Sequence, residues 1–332
     1  MNLEKYRVAS DIALPLEFEG IIAISLPMRA ALRRVVEAAR VDIPVLVTGE
    51  TGTGKDLIAA AIHKRSARRD KPFIAVNTGA VPRELIASEI FGHEKGAYTG
   101  AQEAAAGIFE QADGGTVFLD EVATMDEKTQ VALLRVLEEK TFRRVGGIKN
   151  IAVDVRIIAA TNEDLEKIVQ EKHFRQDLYY RLNVFHISVP PLRDRPGAVT
   201  VLTDHFLSRY AGVYGKDVEK VSPETYRLLR RYPWPGNVRE LKNVIQTAVL
   251  MLEGKELTPE LIPDRIKDAA STAADTAGPA CSIRVGATLD SVEKEMIRMT
   301  LAHVGGNKKL AASILGISRR ALYNKLRKHH LG

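Results

Sequence analysis

The chain has 332 residues, of which 45% are hydrophobic, so it is long enough for two or three domains with buried cores. It contains no run of about eighteen apolar residues, and its N-terminus lacks the basic-then-apolar pattern of a secretory signal, so we predict neither a membrane span nor export. Its one cysteine, Cys281, excludes an intrachain disulfide, which agrees with the cytoplasmic location that we expect.

The net charge of +6 is concentrated at the C-terminal end of the chain. Residues 287–332 contain nine basic and three acidic side chains, so the remainder of the chain is neutral overall. A basic segment attached to a neutral body is typical of a nucleic-acid-binding domain. By charge alone, a solvated basic helix end would look similar.

Apolar runs rich in β-forming residues alternate with helical patterns as far as about residue 190. This alternation predicts an α/β fold in which a parallel sheet is covered by helices. The predicted strands are 43–48, 73–77, 116–121 and 155–161, and the clearest helix between them is 128–140.

A proline-bounded stretch at 189–196 ends this alternation, and only helical signals follow it as far as about residue 266. A segment of small residues then has the composition of a linker, and a compact helical segment ends the chain. The predicted parts are an N-terminal segment 1–19, an α/β domain 20–192, a helical domain 193–266, a linker 267–286 and a C-terminal helical domain 287–332.

A glycine-rich loop follows the first predicted strand and opens a helix. Glycines let the backbone wrap a phosphate, and the helix N-terminus adds a favourable potential for the anion. A glycine-rich string alone is often only a turn, but this strand–loop–helix setting favours a P-loop that binds ATP with Mg²⁺. The predicted nucleotide-binding residues are Gly49, Glu50, Thr51, Gly52, Thr53, Gly54, Lys55 and Asp56.

Two carboxylates end the strand that lies about 65 residues beyond this loop. Asp120 is placed to hold Mg²⁺, and Asp56 is a second candidate because it stands where the P-loop pattern has Ser or Thr. Glu121 is placed to polarise a water for attack on the γ-phosphate. Asn162, which follows the strand at 155–161, is placed to contact the γ-phosphate or that water.

The segment 91–101, FGHEKGAYTGA, resembles the GAFTGA loop of bacterial sigma-54-dependent transcription activators, with Tyr98 in place of the usual Phe. The resemblance covers roughly residues 20–265 and, with the C-terminal segment, nearly the whole chain. It implies an AAA+ fold with a helical lid, and a loop that contacts the sigma-54 factor. The contact residues that it implies are Gly96, Ala97, Tyr98, Thr99, Gly100 and Ala101.

Other segments resemble further motifs of this family. The segment 174–184 implies that Arg175 and Arg181 are arginine fingers, without showing which one reaches the phosphate. The segment 234–241 implies that Arg239 contacts nucleotide from the lid, and Asn77 matches the asparagine that holds the catalytic glutamate idle. Residues 142–147 resemble a second substrate-facing loop. Because an arginine finger acts across a subunit interface, the resemblance implies a ring, usually a hexamer.

The C-terminal segment has the pattern of a helix-turn-helix and resembles the Fis-type DNA-binding domain. Asn307 and Ser318 are predicted helix caps, and Leu315, Leu322 and Leu326 are predicted core residues. Leu289, Val292, Met296, Met299 and Leu301 fit one apolar helical face. The predicted DNA contacts are Arg319, Arg320 and Asn324 to base edges, and Lys325, Arg327 and Lys328 to phosphates. A purely structural three-helix bundle is the alternative.

We therefore predict an ATPase that binds enhancer DNA and remodels the closed complex of sigma-54 RNA polymerase into an open complex. The alternatives are an AAA+ unfoldase or chelatase with an unrelated substrate, and a DNA-binding regulator that uses ATP only for assembly. About twenty residues precede the motor, and no sensory domain fits there. We therefore expect control by a separate regulatory protein, by expression level or by a ligand of the motor, and we favour the first.

Overall fold

The computed structural model describes residues 17–98, 101–269 and 288–329. The chain forms two compact units, residues 1–262 and residues 263–332. Within the described ranges, no helix is both long enough and apolar enough to cross a membrane. Cys281, most of the predicted linker 267–286 and most of the predicted N-terminal segment lie outside those ranges.

A five-stranded parallel sheet forms the centre of the first unit, as the βα alternation predicts. Its strands are Val45–Thr48 (β3), Phe73–Asn77 (β4), Thr116–Asp120 (β7), Arg156–Thr161 (β10) and Phe185–Ser188 (β11). The order across the sheet is β11-β3-β10-β7-β4. The strand that precedes the glycine-rich loop, β3, therefore lies inside the sheet, between β11 and β10.

Three two-stranded antiparallel pairs lie outside this sheet. One pair lies before the first helix. The other two pairs lie at the bases of the loops that follow residues 93 and 142. The paired strands are Glu17–Phe18 (β1) with Ile21–Ile22 (β2), Gly92–His93 (β5) with Ala105–Ala106 (β6), and Thr141–Phe142 (β8) with Ile151–Ala152 (β9).

Helices cover both faces of the sheet, and side chains alternate between the two layers with the strand period of two. Val45 and Val47 pack with the first two helices, whereas Leu46 packs into the opposite layer. The helices of this domain are Leu26–Ala39 (α1), Lys55–Lys64 (α2), Arg83–Phe91 (α3), Ile108–Gln111 (α4), Glu127–Glu139 (α5), Leu165–Gln170 (α6) and Gln176–Leu182 (α7).

A helical lid follows the sheet within the same unit. Its one tryptophan, Trp234, is fully buried, and its indole N–H donates to the Leu229 carbonyl at 2.8 Å. The lid also contains a parallel strand pair, so the expectation of helices alone is wrong for this part. Its elements are Ala198–Tyr214 (α8), Lys220–Val221 (β12), Pro223–Arg231 (α9), Asn237–Met251 (α10) and Glu256–Leu257 (β13).

The second unit contains the three predicted C-terminal helices, Leu289–His303 (α11), Lys308–Ile314 (α12) and Arg319–Lys328 (α13). The side chains of Asn307 and Ser318 accept hydrogen bonds from the first turns of α12 and α13, which confirms both predicted caps. Leu322 and Leu326 are buried and Leu315 packs against them. Met296 is wrongly assigned to the apolar face of α11, because it is 47% exposed whereas Ile297 is 2% exposed. The side chain of Leu289 lies outside what the structure describes.

Candidate nucleotide-binding site and contact surfaces

A cleft of about 510 Å³ lies at the carboxyl ends of β3, β4 and β7, where the lid meets the sheet domain. This volume falls within the range of about 300–1,000 Å³ that small-molecule sites occupy. One part of its wall is apolar and another carries charges of both signs. The wall includes Ile21, Ile22, Met28, Leu202 and Phe206, together with Thr51, Gly52, Thr53, Gly54, Lys55, Asp56, Asn77, Asp120, Glu121, Arg195, His205, Arg209, Val238, Arg239 and Lys242.

The glycine-rich loop has the backbone shape that a phosphate cradle requires. Gly52 and Gly54 have φ of 79° and 94°, and a Cβ at Gly52 would lie 2.3 Å from the Gly236 carbonyl oxygen of the lid. Lys55 begins α2, and its Nζ donates to the carbonyls of Gly49 at 2.8 Å and Glu50 at 3.3 Å. Burial lowers the pKa of Lys55, although Asp120 and Glu121 oppose that shift. The loop therefore presents a buried cation beside a helix N-terminus, which suits phosphate binding.

Asp120 and Asn77 are register partners at the ends of two neighbouring strands. The Asp120 carboxylate accepts from the Glu121 amide at 3.0 Å, and the Asn77 side-chain oxygen accepts from the amides of Gly79 and Ala80 at 2.9 and 3.1 Å. Glu121 has a left-handed backbone with φ of 59°. Its carboxylate lies against Gly79, where an added Cβ would come 1.8 Å from Oε2. Nothing in the sequence pattern pointed to Gly79.

The turn that follows Glu121 is held by two threonines that no sequence motif indicates. The Glu121 carbonyl accepts from the hydroxyls of Thr78 and Thr124, each at 2.8 Å. The Thr78 hydroxyl also lies 2.9 Å from the Asp120 carbonyl oxygen. These bonds fix the backbone that carries both carboxylates.

The lid contacts the glycine-rich loop through residues that sequence reasoning missed. Arg193 makes a two-point ion pair with Glu50 at 2.5 and 2.8 Å, and Asn237 donates to the same carboxylate at 3.1 Å. These partners lower the pKa of Glu50, with the Arg193 hydrogen bond as the main cause. The Glu50 carboxylate therefore faces the lid, and neither Glu50 nor Gly49 is among the described residues that line the cleft.

A buried arginine reinforces this contact. Arg195 donates to the carbonyls of Thr53 at 3.0 Å and Pro190 at 2.8 Å, and burial lowers its pKa to about 10. Arg239, for which the resemblance implies a nucleotide contact, lines the cleft, and its backbone amide donates to the Gly52 carbonyl at 3.2 Å. The only sequence signal for Arg193, Arg195 and Asn237 was their place in the proline- and glycine-rich segments beside the lid.

Three predicted catalytic residues do not line this cleft. Asn162 is exposed just beyond β10. Arg175 pairs with Asp177 at 2.6 Å, which raises the pKa of the arginine, and Arg181 pairs with Glu138 at 3.0 Å. The arginine side chains are 37% and 61% exposed, so both stand on the outer surface of the subunit.

The predicted contact loop is closed at its base and exposed near its tip. Gly96 donates its amide to the Ala101 carbonyl at 2.9 Å, and Ala101 itself is buried. Tyr98 is 38% exposed, and its ring lies 5.2 Å from that of His93. Thr99 and Gly100 lie outside the described residues.

The second predicted loop, 142–147, is joined to the first. Arg144 makes a two-point ion pair with Glu110 at 2.7 and 2.8 Å and also contacts Glu94 at 3.2 Å. The Glu94 amide donates to the Val145 carbonyl at 3.0 Å. The two loops are therefore linked by a side-chain ion pair and by a backbone hydrogen bond.

In the C-terminal unit, the residues predicted to contact DNA fall into two groups. Arg319, Arg320, Asn324 and Arg327 are exposed on α13. Lys325 and Lys328 instead form ion pairs with Glu293 and Asp290 of α11, and these pairs lower the pKa of both carboxyl groups. His329 is buried beside the same acids, with Nε2 at 3.3 Å from Glu293.

Three family descriptions match consecutive parts of the chain. "Sigma-54 interaction domain" matches residues 21–188, "AAA+ ATPase lid domain" matches 193–279, and "Bacterial regulatory protein, Fis family" matches 288–329. These ranges correspond to the sheet domain, the lid region and the C-terminal helices.

Curated relatives and solved structures are similar to this chain over more than nine tenths of its length. The chain is 44% identical to regulatory protein AtoC of Escherichia coli (strain K12) over 310 residues, which covers 93% of this chain and 67% of AtoC. It is 43% identical to transcriptional regulatory protein FlbD of Caulobacter vibrioides, with 97% and 73% covered. The crystal structure of NtrX from Brucella abortus in complex with ADP superposes with a TM-score of 0.70 at 32% identity, with 93% and 70% covered.

Proposed function

The chain belongs to the family of sigma-54-dependent transcription activators, and from that membership we propose that it hydrolyses ATP to convert the closed complex of sigma-54 RNA polymerase into the open complex while bound to enhancer DNA. One observation carries this proposal. Lys55, Asp120, Glu121 and Arg239 line a single cleft of nucleotide size, and the loop that bears Tyr98 stands outside that cleft. The first arrangement suits hydrolysis, and the second suits contact with a protein substrate.

In this proposal, Glu121 orients a water and accepts its proton as the water attacks the γ-phosphorus and the bond to the β-phosphate oxygen breaks. Lys55 leaves the carbonyls of Gly49 and Glu50 and binds phosphate oxygens, because its ammonium attracts the more strongly charged partner. Mg²⁺, held by Asp120 with Asp56 nearby, would neutralise charge on the phosphates. Arg239 contacts the nucleotide from the lid.

We propose that Arg175 and Arg181 complete the active site of a neighbouring subunit in a ring, which in this family is usually a hexamer. Their support is their position: both are exposed and neither lines the cleft of its own subunit. An arginine that stabilises transition-state charge in this way is worth about 10³ to 10⁵ in rate in some NTPases.

Open-complex formation with sigma-54 polymerase on a promoter with its cognate enhancer tests the proposal. We expect activity with ATP, and none either without ATP or with Glu121→Gln. An unfoldase or chelatase would hydrolyse ATP without opening the promoter. A regulator that uses ATP only for assembly would bind DNA without turnover, and either result would contradict the proposal.

A further inference from the structure

Gln130 is a glutamine of helix α5 that is only 1% exposed. A buried primary amide has two N–H donors and one oxygen acceptor, and each one left without a partner costs about 1–3 kcal/mol. Such a side chain is stable inside a core only where each of its polar groups has a hydrogen-bond partner. The groups that Gln130 joins are therefore informative.

All three hydrogen-bonding groups of the Gln130 amide have backbone partners. Its Nε2 donates to the Met125 carbonyl at 2.9 Å and to the His173 carbonyl at 3.2 Å. Its Oε1 accepts from the backbone amide of Arg175 at 2.8 Å. One side chain therefore connects the turn after Glu121 with the segment that carries the proposed arginine fingers.

The first end of this connection leads to the catalytic carboxylate. The Thr124 amide donates to the Glu121 carbonyl at 3.0 Å, and the Met125 amide donates to the Val122 carbonyl at 3.3 Å. These bonds close a tight turn from Glu121 to Met125. The carbonyl that Gln130 holds therefore belongs to the same hydrogen-bonded turn as Glu121.

The second end leads to the arginines. Arg175 is the N-cap of α7, and this helix also carries Arg181 in its last turn. The Arg175 guanidinium is exposed while its backbone amide is held by Gln130. Fixing the N-terminus of α7 therefore fixes the starting point of both side chains.

We infer that Gln130 is a positioning residue that couples the catalytic turn of one subunit to the arginine finger that the same subunit donates to its neighbour. The inference rests on the proposed function, because it needs a finger that acts between subunits. It assigns a physical route by which the nucleotide state of one site reaches the next. The route runs from Glu121 through Met125 and Gln130 to Arg175.

Two substitutions remove the connection in different ways. Gln130→Met keeps the length of the side chain and removes all three hydrogen bonds, whereas Gln130→Glu keeps the acceptor for Arg175 and loses both donors. Gln170→Met, at the exposed end of α6, is the matched control. We expect both Gln130 variants to bind ATP with near-normal affinity and to lose roughly 10²-fold in turnover, because misplacing a catalytic group by about 1 Å has that effect.

Rings assembled from two different variants show whether Gln130→Met damages its own nucleotide site or the finger that it donates to the neighbouring subunit. In Gln130→Met the turn at Glu121 is still held by Thr78 and Thr124, whereas the Arg175 amide loses its acceptor, so we expect a working nucleotide site and a misplaced finger. Activity should therefore return when this variant is mixed with Glu121→Gln, whose finger is intact. Mixing Gln130→Met with Arg175→Ala/Arg181→Ala should give no gain, because neither partner donates a working finger. If Gln130→Met does not fold, Gln130→Asn serves in the same mixtures, because its amide is one methylene shorter and cannot reach both the Met125 carbonyl and the Arg175 amide.

The reverse result, rescue by the double arginine variant and none by Glu121→Gln, would show that Gln130 acts on its own site and would overturn the inference. Turnover of both Gln130 variants equal to that of Gln170→Met would also overturn it. The double arginine variant measured alone tests the premise separately. Wild-type turnover there would remove the finger assignment itself, and with it this inference.

Discussion

Asn237 of the lid donates a hydrogen bond from its side-chain amide to the Glu50 carboxylate of the phosphate-binding loop, at 3.1 Å. The same amide donates to the Thr51 carbonyl at 3.1 Å, and its oxygen accepts from the Leu192 amide at 2.7 Å. Asn237 is fully buried. Asn237 is therefore one of several residues that join the lid to the loop, together with Arg193 and Arg195.

Asn237→Asp should break this link while it preserves the bond to Leu192. The carboxylate cannot donate to Glu50 or Thr51, and it places a like charge beside an ionised acid. Because a hydrogen bond to a charged group is worth about 1.5–3 kcal/mol, we expect ATP affinity to fall about tenfold or more. Nucleotide titration measures this, with the exposed Asn243→Asp as control. Equal affinities in the two variants would contradict a role for the link in nucleotide binding.

Glu121→Gln should retain ATP binding and lose turnover. The amide keeps the shape of the side chain but cannot accept a proton from water, and general-base help is typically worth about 10² to 10⁴ in rate. Lys55→Ala should lose binding as well, since it removes the buried cation of the loop. Nucleotide affinity and phosphate release are measured separately. Near-normal turnover of Glu121→Gln would reject the assignment of Glu121 as the base.

The fold could be predicted from the sequence where its elements are long and buried. Strands β3, β7 and β10 are apolar runs buried on both faces, so their composition alone identifies them. Strand β11 was missed because it is a four-residue edge strand with exposed His186 and Ser188. The two-residue pair of β12 and β13 carries no periodic signal at all.

The site could be predicted where a motif and a strand end coincide. Lys55, Asp120 and Glu121 converge because parallel strands end at the same edge of the sheet. The pairing of Glu50 with Arg193 joins residues 143 positions apart, and no local pattern encodes it. For the same reason, the sequence showed the charge of Lys325 and Lys328 but not their partners on α11.

Tyr98→Ala should separate hydrolysis from promoter opening. Its ring is partly exposed and contacts His93 rather than the nucleotide cleft, so its loss removes contact surface without altering catalysis. We expect substantial ATPase activity, a near-normal melting temperature and little open complex, whereas Tyr98→Phe should retain activation. If Tyr98→Ala still bound and remodelled sigma-54, the loop would not be the coupling element.

Glu293→Gln should release Lys325 for DNA. The ion pair between them occupies a lysine of α13, and each additional phosphate contact steepens the dependence of log K on log salt by about 1. We therefore expect tighter binding to random DNA and a steeper salt slope. Glu295→Gln changes net charge equally but breaks a pair with Arg298 within α11, so it is the control. Identical slopes for the two variants would show that Lys325 does not reach phosphate.

Acid should destabilise the sheet domain through His63. Burial, with a smaller effect of Arg156, lowers the pKa of His63 from its ordinary 6.5, so the folded state favours the neutral ring. The unfolded chain binds the proton more tightly, so this contribution to stability is complete above pH 6.5 and decreases as the pH falls below it. Melting temperatures between pH 7.5 and 5.5 should fall less steeply for His63→Gln than for the exposed His173→Gln. Parallel curves would exclude His63 as the titrating group.

The left-handed backbone of Glu121 lowers the stability of the fold at a position where the proposed turnover requires a glutamate. A residue with a Cβ in this conformation costs roughly 1–2 kcal/mol, whereas glycine or asparagine adopts it at less cost. A screen for heat resistance alone would therefore enrich glycine or asparagine at position 121. The proteins recovered would have higher melting temperatures but would not turn over ATP. Engineering of this chain for thermal stability must therefore keep glutamate at position 121.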